Sequence, residues 1–324
     1  MPDPLMLATW TTGQAANAAG WPHLVDPAGG ALDAVEHACR HAEADPQNMT
    51  VGCGGRPDAA GEVTLDASIM VSPAQRGGVC FVRRFMHPVS IARIVMEHSP
   101  HVLLAGDGAE RFARAQGLVP QDLLTDAARE AWQTWRATRG AAAVGTAQAN
   151  IEERPADAAP ATGAPPAGAP ATSASEVGES NHDTIGILAR DASGRVAGAC
   201  STSGMAFKAP GRVGDSPIVG HGLYVAPDRG AAVATGHGEL AMGVCATFLA
   251  VDRMGQGASP AEAAAEVVHR IAGAYDLAEN DQVGIITLAP DGAWSSAAVR
   301  PGFRVAVRTP DRDELVEPNT VLLE

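Results

Sequence analysis

Apolar residues recur at helical spacing along the first half of the chain. This spacing predicts helices over residues 31–42 and 90–98, the second of which should stop at Ser99-Pro100. A short apolar run at residues 101–105 predicts a strand, and residues 109–116 predict a further helix. The first half is therefore expected to alternate helices with strands.

The second half shows the period of β-strands more clearly. Residues 184–189 and 195–201 predict two strands joined by a turn at residues 191–194. Residues 283–288 and 293–299 flank a Pro-Asp-Gly turn, which predicts a β-hairpin.

The segment Ser259-Pro260-Ala261-Glu262 predicts the N-terminus of a helix. Serine is a good N-cap, proline is tolerated at the first helical position, and glutamate three residues on can bond back to the cap. The apolar residues Val267, Val268 and Ile271 then define the buried face of the predicted helix.

The periodic spacing of apolar residues ends at about residue 139 and does not return until about residue 180. Residues 156–175 are nearly all Ala, Pro, Gly, Ser and Thr, so they offer little apolar surface to offset the entropy lost on ordering. We predict a disordered linker here. From composition alone, an ordinary interdomain spacer would be the simpler interpretation.

Composition narrows the class of protein. Hydrophobic residues make up 46% of the 324 residues and aromatic residues 4%, which favours aliphatic helix and sheet layers. The net charge of −14 argues against nucleic-acid and anionic-membrane partners, because both attract clustered Lys and Arg. An acidic surface is more simply that of a soluble protein.

The five cysteines are odd in number and form no C-x-x-C motif. We therefore expect no disulfide framework, and thiols that are buried as small apolar side chains. The first residues lack both a basic start and a long apolar run, so no secretion signal or membrane span is predicted and a cytoplasmic location is expected.

Several common chemistries have no signature in this chain. The ten histidines form no metal-ligand motif, so no metal and no other cofactor is expected. Residues 103–108 resemble a nucleotide-binding strand and turn, but Arg111 replaces the third glycine, and Gly106 and Gly108 more simply predict a tight turn. A G-x-S-x-G serine elbow is also missing.

Thr184 is the best candidate nucleophile. It stands where the Ala/Pro-rich tract gives way to a predicted strand. If the chain were cut before Thr184, one residue would carry both a hydroxyl and a free α-amine, which is a complete nucleophile and base. Taken alone, a threonine at this position is more often an ordinary strand residue.

The residues after Thr184 add groups suited to an amino-acid ligand. Arg212 offers a fork that matches a carboxylate, and Asp215 can accept from an ammonium group. Thr235-Gly236 supplies a hydroxyl beside a backbone N–H, which suits an oxyanion hole. A surface ion pair and an ordinary turn are the alternative interpretations of these two segments.

Together these residues resemble the glycosylasparaginases, a family of N-terminal-nucleophile hydrolases. The nucleophile motif is His182-Asp183-Thr184-Ile185-Gly186. Further matching motifs cover nearly the whole chain outside the linker: residues 8–10, 30–36, 51–58, 64–70, 88–93, 101–106, 201–208, 211–218 and 234–239.

The resemblance implies an α+β protein with a four-layer αββα sandwich. It also implies self-cleavage between Asp183 and Thr184, giving an α chain of residues 1–183 and a β chain of residues 184–324 within one composite domain. Two such αβ units are expected to form a homodimer. The implied activity is hydrolysis of the side-chain amide of N-glycosylated asparagine, and of asparagine, through a Thr184 acyl-enzyme. The resemblance therefore implies a small-molecule substrate, an asparagine derivative.

The resemblance also implies roles for individual residues. Thr202 is expected beside the nucleophile, and Thr235 with Gly236 is expected to form the oxyanion hole. The substrate-binding residues implied are Arg212 for the α-carboxylate, Asp215 for the α-amino group, Trp10 for the funnel toward the leaving group, and Gly238.

The chain departs from the family pattern at a few positions. Residues 71–76 replace the usual Asp-Gly or Asp-Glu after Met70, which puts one wall of the site in doubt, and His221 stands where a small residue is usual. The sister group of plant-type asparaginases and isoaspartyl dipeptidases usually has glycine, not Asp183, before the nucleophile. That group is the alternative enzyme, and an uncleaved binding relative is the non-enzymatic alternative.

Overall fold

A computed structural model of the chain describes residues 3–138 and 184–323. The predicted linker at residues 139–180 and the residue before the nucleophile, Asp183, lie outside this range. Within it, all thirteen strands fall into two sheets, and helices lie over the outer face of each sheet.

The eight-stranded sheet has the order β12-β11-β1-β5-β6-β2-β3-β4. Its strands are β1 (Leu5–Thr9), β2 (Leu65–Ser72), β3 (Gln75–Val82), β4 (Leu103–Ala105), β5 (Ile185–Arg190), β6 (Val196–Thr202), β11 (Val305–Arg308) and β12 (Asp313–Val316). All neighbours are antiparallel except β3 and β4.

The five-stranded sheet has the order β13-β10-β9-β8-β7. Its strands are β7 (Leu223–Ala226), β8 (Gly230–Gly236), β9 (Val283–Leu288), β10 (Trp294–Ala298) and β13 (Thr320–Val321). An apolar layer that includes Leu7, Leu188, Val233 and Ile286 fills the space between the two sheets.

Helices cover the outer face of each sheet. Over the eight-stranded sheet lie α1 (Gly13–Val25), α2 (Ala31–Glu43), α3 (Pro88–His98) and α4 (Gly106–Ala115), and residues 126–138 form α5. Over the five-stranded sheet lie α6 (Gly238–Gly243), α7 (Ala246–Gly255) and α8 (Pro260–Ala274). The order helix, sheet, sheet, helix confirms the predicted four-layer αββα sandwich.

Local signals in the sequence fold as expected in several places. The Ser259 side chain accepts from the Glu262 N–H at 3.3 Å, and Glu262 Oε2 accepts from the Ser259 N–H at 2.8 Å, which confirms the capping box. The predicted face of α8 is buried, and strands β9 and β10 form the predicted hairpin.

The expected turn at Gly106 and Gly108 was wrong. Strand β4 leads directly into α4, which begins at Gly106. A backbone φ of +49° at Gly106 makes this abrupt change of direction, a conformation that glycine adopts without steric cost. Asp107 in the first helical turn is favourable at the positive end of the helix dipole, and it pairs with Arg83.

The cysteine predictions were partly wrong. All five cysteines are free, as expected, and Cys39, Cys53 and Cys200 are buried. Cys80 is only half-buried and Cys245 is exposed, where its Sγ lies 3.7 Å from His221 Nε2. His221 therefore contacts a surface thiol instead of the candidate nucleophile.

Over residues 3–138 and 184–323, no helix combines the length and the apolar character needed to cross a membrane. The same residues contain no group of three or more His, Cys, Asp or Glu side chains arranged to hold a metal ion.

Candidate active site

Thr184 directly precedes the first residue of β5, in the middle of the eight-stranded sheet. It is 4% exposed, and its carbonyl oxygen accepts a 2.6 Å hydrogen bond from Thr9 Oγ1. The Thr9 hydroxyl in turn accepts from the Gly186 N–H at 2.9 Å. The end of strand β1 therefore fixes the backbone on both sides of the first residue of β5.

The Thr235 hydroxyl, at the end of β8 in the other sheet, binds the backbone of Thr184. It accepts from the Thr184 N–H at 3.1 Å and from Trp10 Nε1 at 2.8 Å, and it donates to the Thr184 carbonyl at 3.3 Å. One hydroxyl has one proton and two lone pairs, so all of its hydrogen-bonding capacity is used. The two sheets are thus joined at Thr184.

Trp10 contacts Thr235 from an unusual backbone conformation. Its φ of +63° places it in the left-handed region, which is unfavourable for a bulky side chain and occurs mostly at functional positions. Its ring packs edge-to-face on Phe303 at a centroid distance of 5.1 Å. This conformation directs the indole N–H at the Thr235 hydroxyl.

A narrow pocket opens in front of Thr184. Its lining includes five of the predicted site residues together with neighbours from the same motifs: Thr184, Thr202, Gly204, Met205, Arg212, Gly214, Asp215, Ser216 and Gly236. The unusual segment at residues 71–76 forms the β2–β3 turn and does not line this pocket. A wider cleft at residues 61–63, 83–84 and 120–124 contains none of the predicted site residues.

Asp215 is the most strongly perturbed acid in the pocket. It is 3% exposed, and its Oδ2 has no hydrogen-bond partner among the described residues. Burial raises its pKa to about 7, although the Arg212 charge acts in the opposite direction. A buried carboxylate oxygen without a partner is well suited to accept from an incoming ammonium group.

Two glycines allow the pocket to be this tight. Gly236 has a φ of +104°, and a Cβ there would lie 2.2 Å from the Gln282 carbonyl oxygen. A Cβ on Gly238 would lie 2.8 Å from Asp215 Oδ1 and 3.2 Å from Arg212 Nη2. Gly238 therefore lies directly against both charged side chains.

The partner of the nucleophile hydroxyl is Ser216, which the sequence analysis missed. Thr184 Oγ1 lies 3.2 Å from Ser216 Oγ. Thr202 lines the same pocket, but its hydroxyl donates to the Thr50 carbonyl at 3.5 Å and accepts from the Gly204 N–H at 2.9 Å. The only signal for Ser216 in the sequence is its place directly after Asp215.

Ser216→Ala is expected to lower kcat and leave KM nearly unchanged. One neutral hydrogen bond is worth about 1 kcal/mol, so the loss in kcat should be roughly 5- to 10-fold. Steady-state kinetics on the cleaved enzyme measure the effect. Ser203→Ala is the matched control, since Ser203 Oγ is buried without a hydrogen-bond partner among the described residues. Equal losses in both variants would contradict a contact specific to Thr184.

A four-layer αββα sandwich with a hydroxyl residue opening a central strand is the fold of the N-terminal-nucleophile hydrolases. Comparison with known proteins is more specific. Residues 9–316 match the family model described as asparaginase, and the chain belongs to this asparaginase family.

Curated relatives extend the similarity over most of the chain. A protein named N(4)-(β-N-acetylglucosaminyl)-L-asparaginase from Elizabethkingia miricola is 40% identical over 323 residues, covering 98% of this chain and 85% of its own. Proteins of the same name from Mus musculus and Rattus norvegicus are 37% and 39% identical. They are covered over 84% and 77% of their length, and they span 91% and 83% of this chain.

Proposed function

We propose that this protein is a self-cleaving amidohydrolase that releases aspartate from N-glycosylated asparagine. The curated relatives carry the name of that activity and match nearly the full chain. The observation that carries the proposal is the pocket in which Thr184 meets Arg212 and Asp215, two side chains of opposite charge suited to the two charged ends of an amino acid.

Self-cleavage comes first in the proposed sequence. The Thr184 hydroxyl attacks the carbonyl carbon of the Asp183–Thr184 peptide bond, its proton passes to the Thr184 nitrogen, and the C–N bond breaks to leave an ester and an amine. Water hydrolyses this ester, which leaves a carboxylate on Asp183 and a free α-amine on Thr184. Before cleavage the Thr184 nitrogen belongs to an amide and donates to Thr235, so it cannot act as a base.

Hydrolysis of the substrate then reuses the same hydroxyl. The α-amine takes the proton from Thr184 Oγ1, which attacks the side-chain amide carbon of the substrate. The Gly236 N–H, together with the Thr235 hydroxyl once its proton turns from the Thr184 carbonyl to the substrate, stabilises the negative oxygen that forms. Such an effect is typically worth about 10²–10³ in rate for one donor. The proton passes to the departing nitrogen, and water releases aspartate from the acyl-enzyme.

Arg212 and Asp215 orient the substrate for this attack. Arg212 binds the α-carboxylate and Asp215 binds the α-ammonium group, which fixes the amide carbon relative to Thr184. Holding a reactant in this way removes much of the entropic cost of the reaction. Trp10 acts through Thr235, because its N–H occupies one lone pair of that hydroxyl.

Rates on three substrates test the proposal. We expect kcat/KM to be greater for N-glycosylated asparagine than for a β-aspartyl dipeptide, with asparagine also hydrolysed. Glycosylamine and aspartate are assayed separately, so that release of each product is seen. A markedly better rate on the dipeptide would favour the plant-type asparaginase and isoaspartyl dipeptidase group instead.

We also propose the division into two chains, a homodimer of αβ units and a cytoplasmic location. The division into chains of residues 1–183 and 184–324 is tested by N-terminal sequencing of the smaller fragment. Sedimentation of the cleaved protein tests the proposed homodimer of αβ units. The proposed cytoplasmic location is tested by fractionating the source cells.

A further inference from the structure

The guanidinium of Arg212 has two edges that can each hold a carboxylate, and Glu239 occupies one of them. Arg212 Nε donates to Glu239 Oε1 at 2.8 Å, and Nη2 donates to Oε2 at 2.6 Å. The contact is a paired, charge-assisted hydrogen bond of the strong type. The Arg212 side chain is 15% exposed and that of Glu239 is 48% exposed, so Glu239 approaches from the solvent side.

The other edge of Arg212, formed by Nη1 and Nη2, lies beside the pocket. A Cβ on Gly204 or Gly214 would lie 3.2 or 3.0 Å from Nη1, and both glycines line the pocket of Thr184. Within residues 3–138 and 184–323, no side chain accepts from Nη1. This edge is therefore free to bind a ligand.

Glu239 is itself supported by neighbouring charged groups. It lies in the first turn of α6, and its Oε2 lies 3.5 Å from His237 Nε2. The other ring nitrogen of His237 lies 2.8 Å from Asp281 Oδ1. Burial opposes the charge on Glu239, but the Arg212 hydrogen bonds outweigh it and lower its pKa. Glu239 is thus charged and held in place.

We propose that Glu239 is a positioning residue that selects for the α-carboxylate of the substrate. By holding the Nε/Nη2 edge of Arg212, it presents the Nη1/Nη2 edge to the pocket in a fixed orientation. This inference rests on the proposed function, because it assigns the ligand of Arg212. A substrate carboxylate bound at the Nε/Nη2 edge would instead compete with Glu239, which would then block the site.

Two competitive inhibitors separate these roles. Aspartate carries the α-carboxylate, and 3-aminopropanoate is the same molecule without it. In Glu239→Gln, loss of the paired charged contact should raise the inhibition constant of aspartate, and the KM of the substrate, by about 10-fold. The inhibition constant of 3-aminopropanoate and the value of kcat should stay within about 2-fold of wild type.

Glu266→Gln is the matched control. Glu266 also binds an arginine, Arg270, with an Oε1–Nη2 distance of 2.8 Å, but it lies on the outer helix α8. This variant should change neither inhibition constant. If Glu239→Gln does not fold, Glu239→Asp, which keeps the charge on a shorter side chain, is expected to weaken aspartate binding selectively.

The outcomes distinguish the inference from the proposed function. Unchanged or tighter aspartate binding in Glu239→Gln would overturn the positioning role, and tighter binding would assign a blocking role. An equal rise in the inhibition constants of aspartate and 3-aminopropanoate would also overturn the positioning role, because it would show a general loosening of the pocket and no selection for the α-carboxylate. Failure of the proposed function would instead be seen in wild type, as absence of both hydrolysis and aspartate inhibition.

Discussion

Thr184→Ala should remain one full-length chain without hydrolase activity. The variant lacks the only hydroxyl that both proposed reactions use, so cleavage before residue 184 and amide hydrolysis should be lost together. Loss of the nucleophile typically costs on the order of 10⁶-fold in hydrolysis. A denaturing gel, N-terminal sequencing and an aspartate-release assay measure the two losses.

Thr184→Ser is the matched control for this variant. It keeps the hydroxyl, so it should still be cut and should retain part of the activity. The buried methyl of Thr184 is lost, and the freer serine rotamer should slow both reactions. The single-nucleophile account fails if Thr184→Ala is still cut at the same bond.

Asp215→Asn should lower kcat/KM and at the same time stabilise the fold. Asparagine cannot neutralise the substrate ammonium, and loss of one partner of a buried ion pair costs about 3–5 kcal/mol, or roughly 10²–10⁴-fold in kcat/KM. The cost should fall on substrates that carry the α-amino group. Kinetics of the cleaved enzyme, with succinate as an inhibitor that lacks this group, measure the selectivity.

The stability gain follows from the raised pKa of Asp215. The carboxyl of Asp215 has a pKa of about 7 in the folded protein, against an ordinary value of 3.8. It therefore stabilises the fold below pH 3.8 and loses this contribution as the pH rises toward 7. At pH 8 the free energy of unfolding of Asp215→Asn should therefore exceed that of wild type by up to about 4 kcal/mol. At pH 5 the difference should be smaller. Calorimetry at both pH values measures the difference.

Asp191→Asn is a control that is expected to change stability in the opposite direction. Hydrogen bonds from Ser193 and Arg195 outweigh burial and lower the pKa of Asp191. Its ionised form therefore stabilises the fold above pH 3.8, and its replacement should destabilise the protein at pH 8. If both variants changed stability in the same direction, the linkage interpretation of Asp215 would be wrong.

The pH profile of kcat/KM gives a second measure of Asp215. Its ionised form binds the ammonium group, so activity should fall as the pH drops below about 7. The α-amine of Thr184, with an ordinary pKa of about 7.7–8.0, must also be unprotonated. When both groups become protonated as the pH falls, a plot of log(kcat/KM) against pH should approach a slope of two in wild type. Asp215→Asn leaves only the α-amine to titrate, so the slope should fall to one.

Local signals in the sequence predicted much of the fold, and long-range packing decided the rest. The capping box at Ser259 and the apolar stripe of α2 are complete within a few residues, so they could be found. Helix α1 has no such stripe. Its Gly20 packs against α2, where a Cβ would meet Ala34 and Ala38, and this close contact holds the helix in place.

The candidate site shows the same division. Arg212 and Asp215 could be proposed because their charges suit an amino acid. The indole N–H of Trp10 reaches Thr235 across 225 residues of sequence, and no local pattern predicts that contact. Ser216 and Glu239 were missed for a related reason: a serine and a glutamate are common surface residues, and only the folded chain brings them to Thr184 and Arg212.

The strand order of the larger sheet has a consequence for the cleaved molecule. Strand β1 lies between β11 and β5, and β2 lies beside β6, so strands from before and after the proposed cut pair with each other at three places in the sheet. The two fragments cannot separate without breaking the sheet, and they should unfold as one cooperative unit. Refolding, however, becomes a bimolecular reaction once the chain is cut, so its rate should depend on protein concentration, whereas that of uncleaved Thr184→Ala should not.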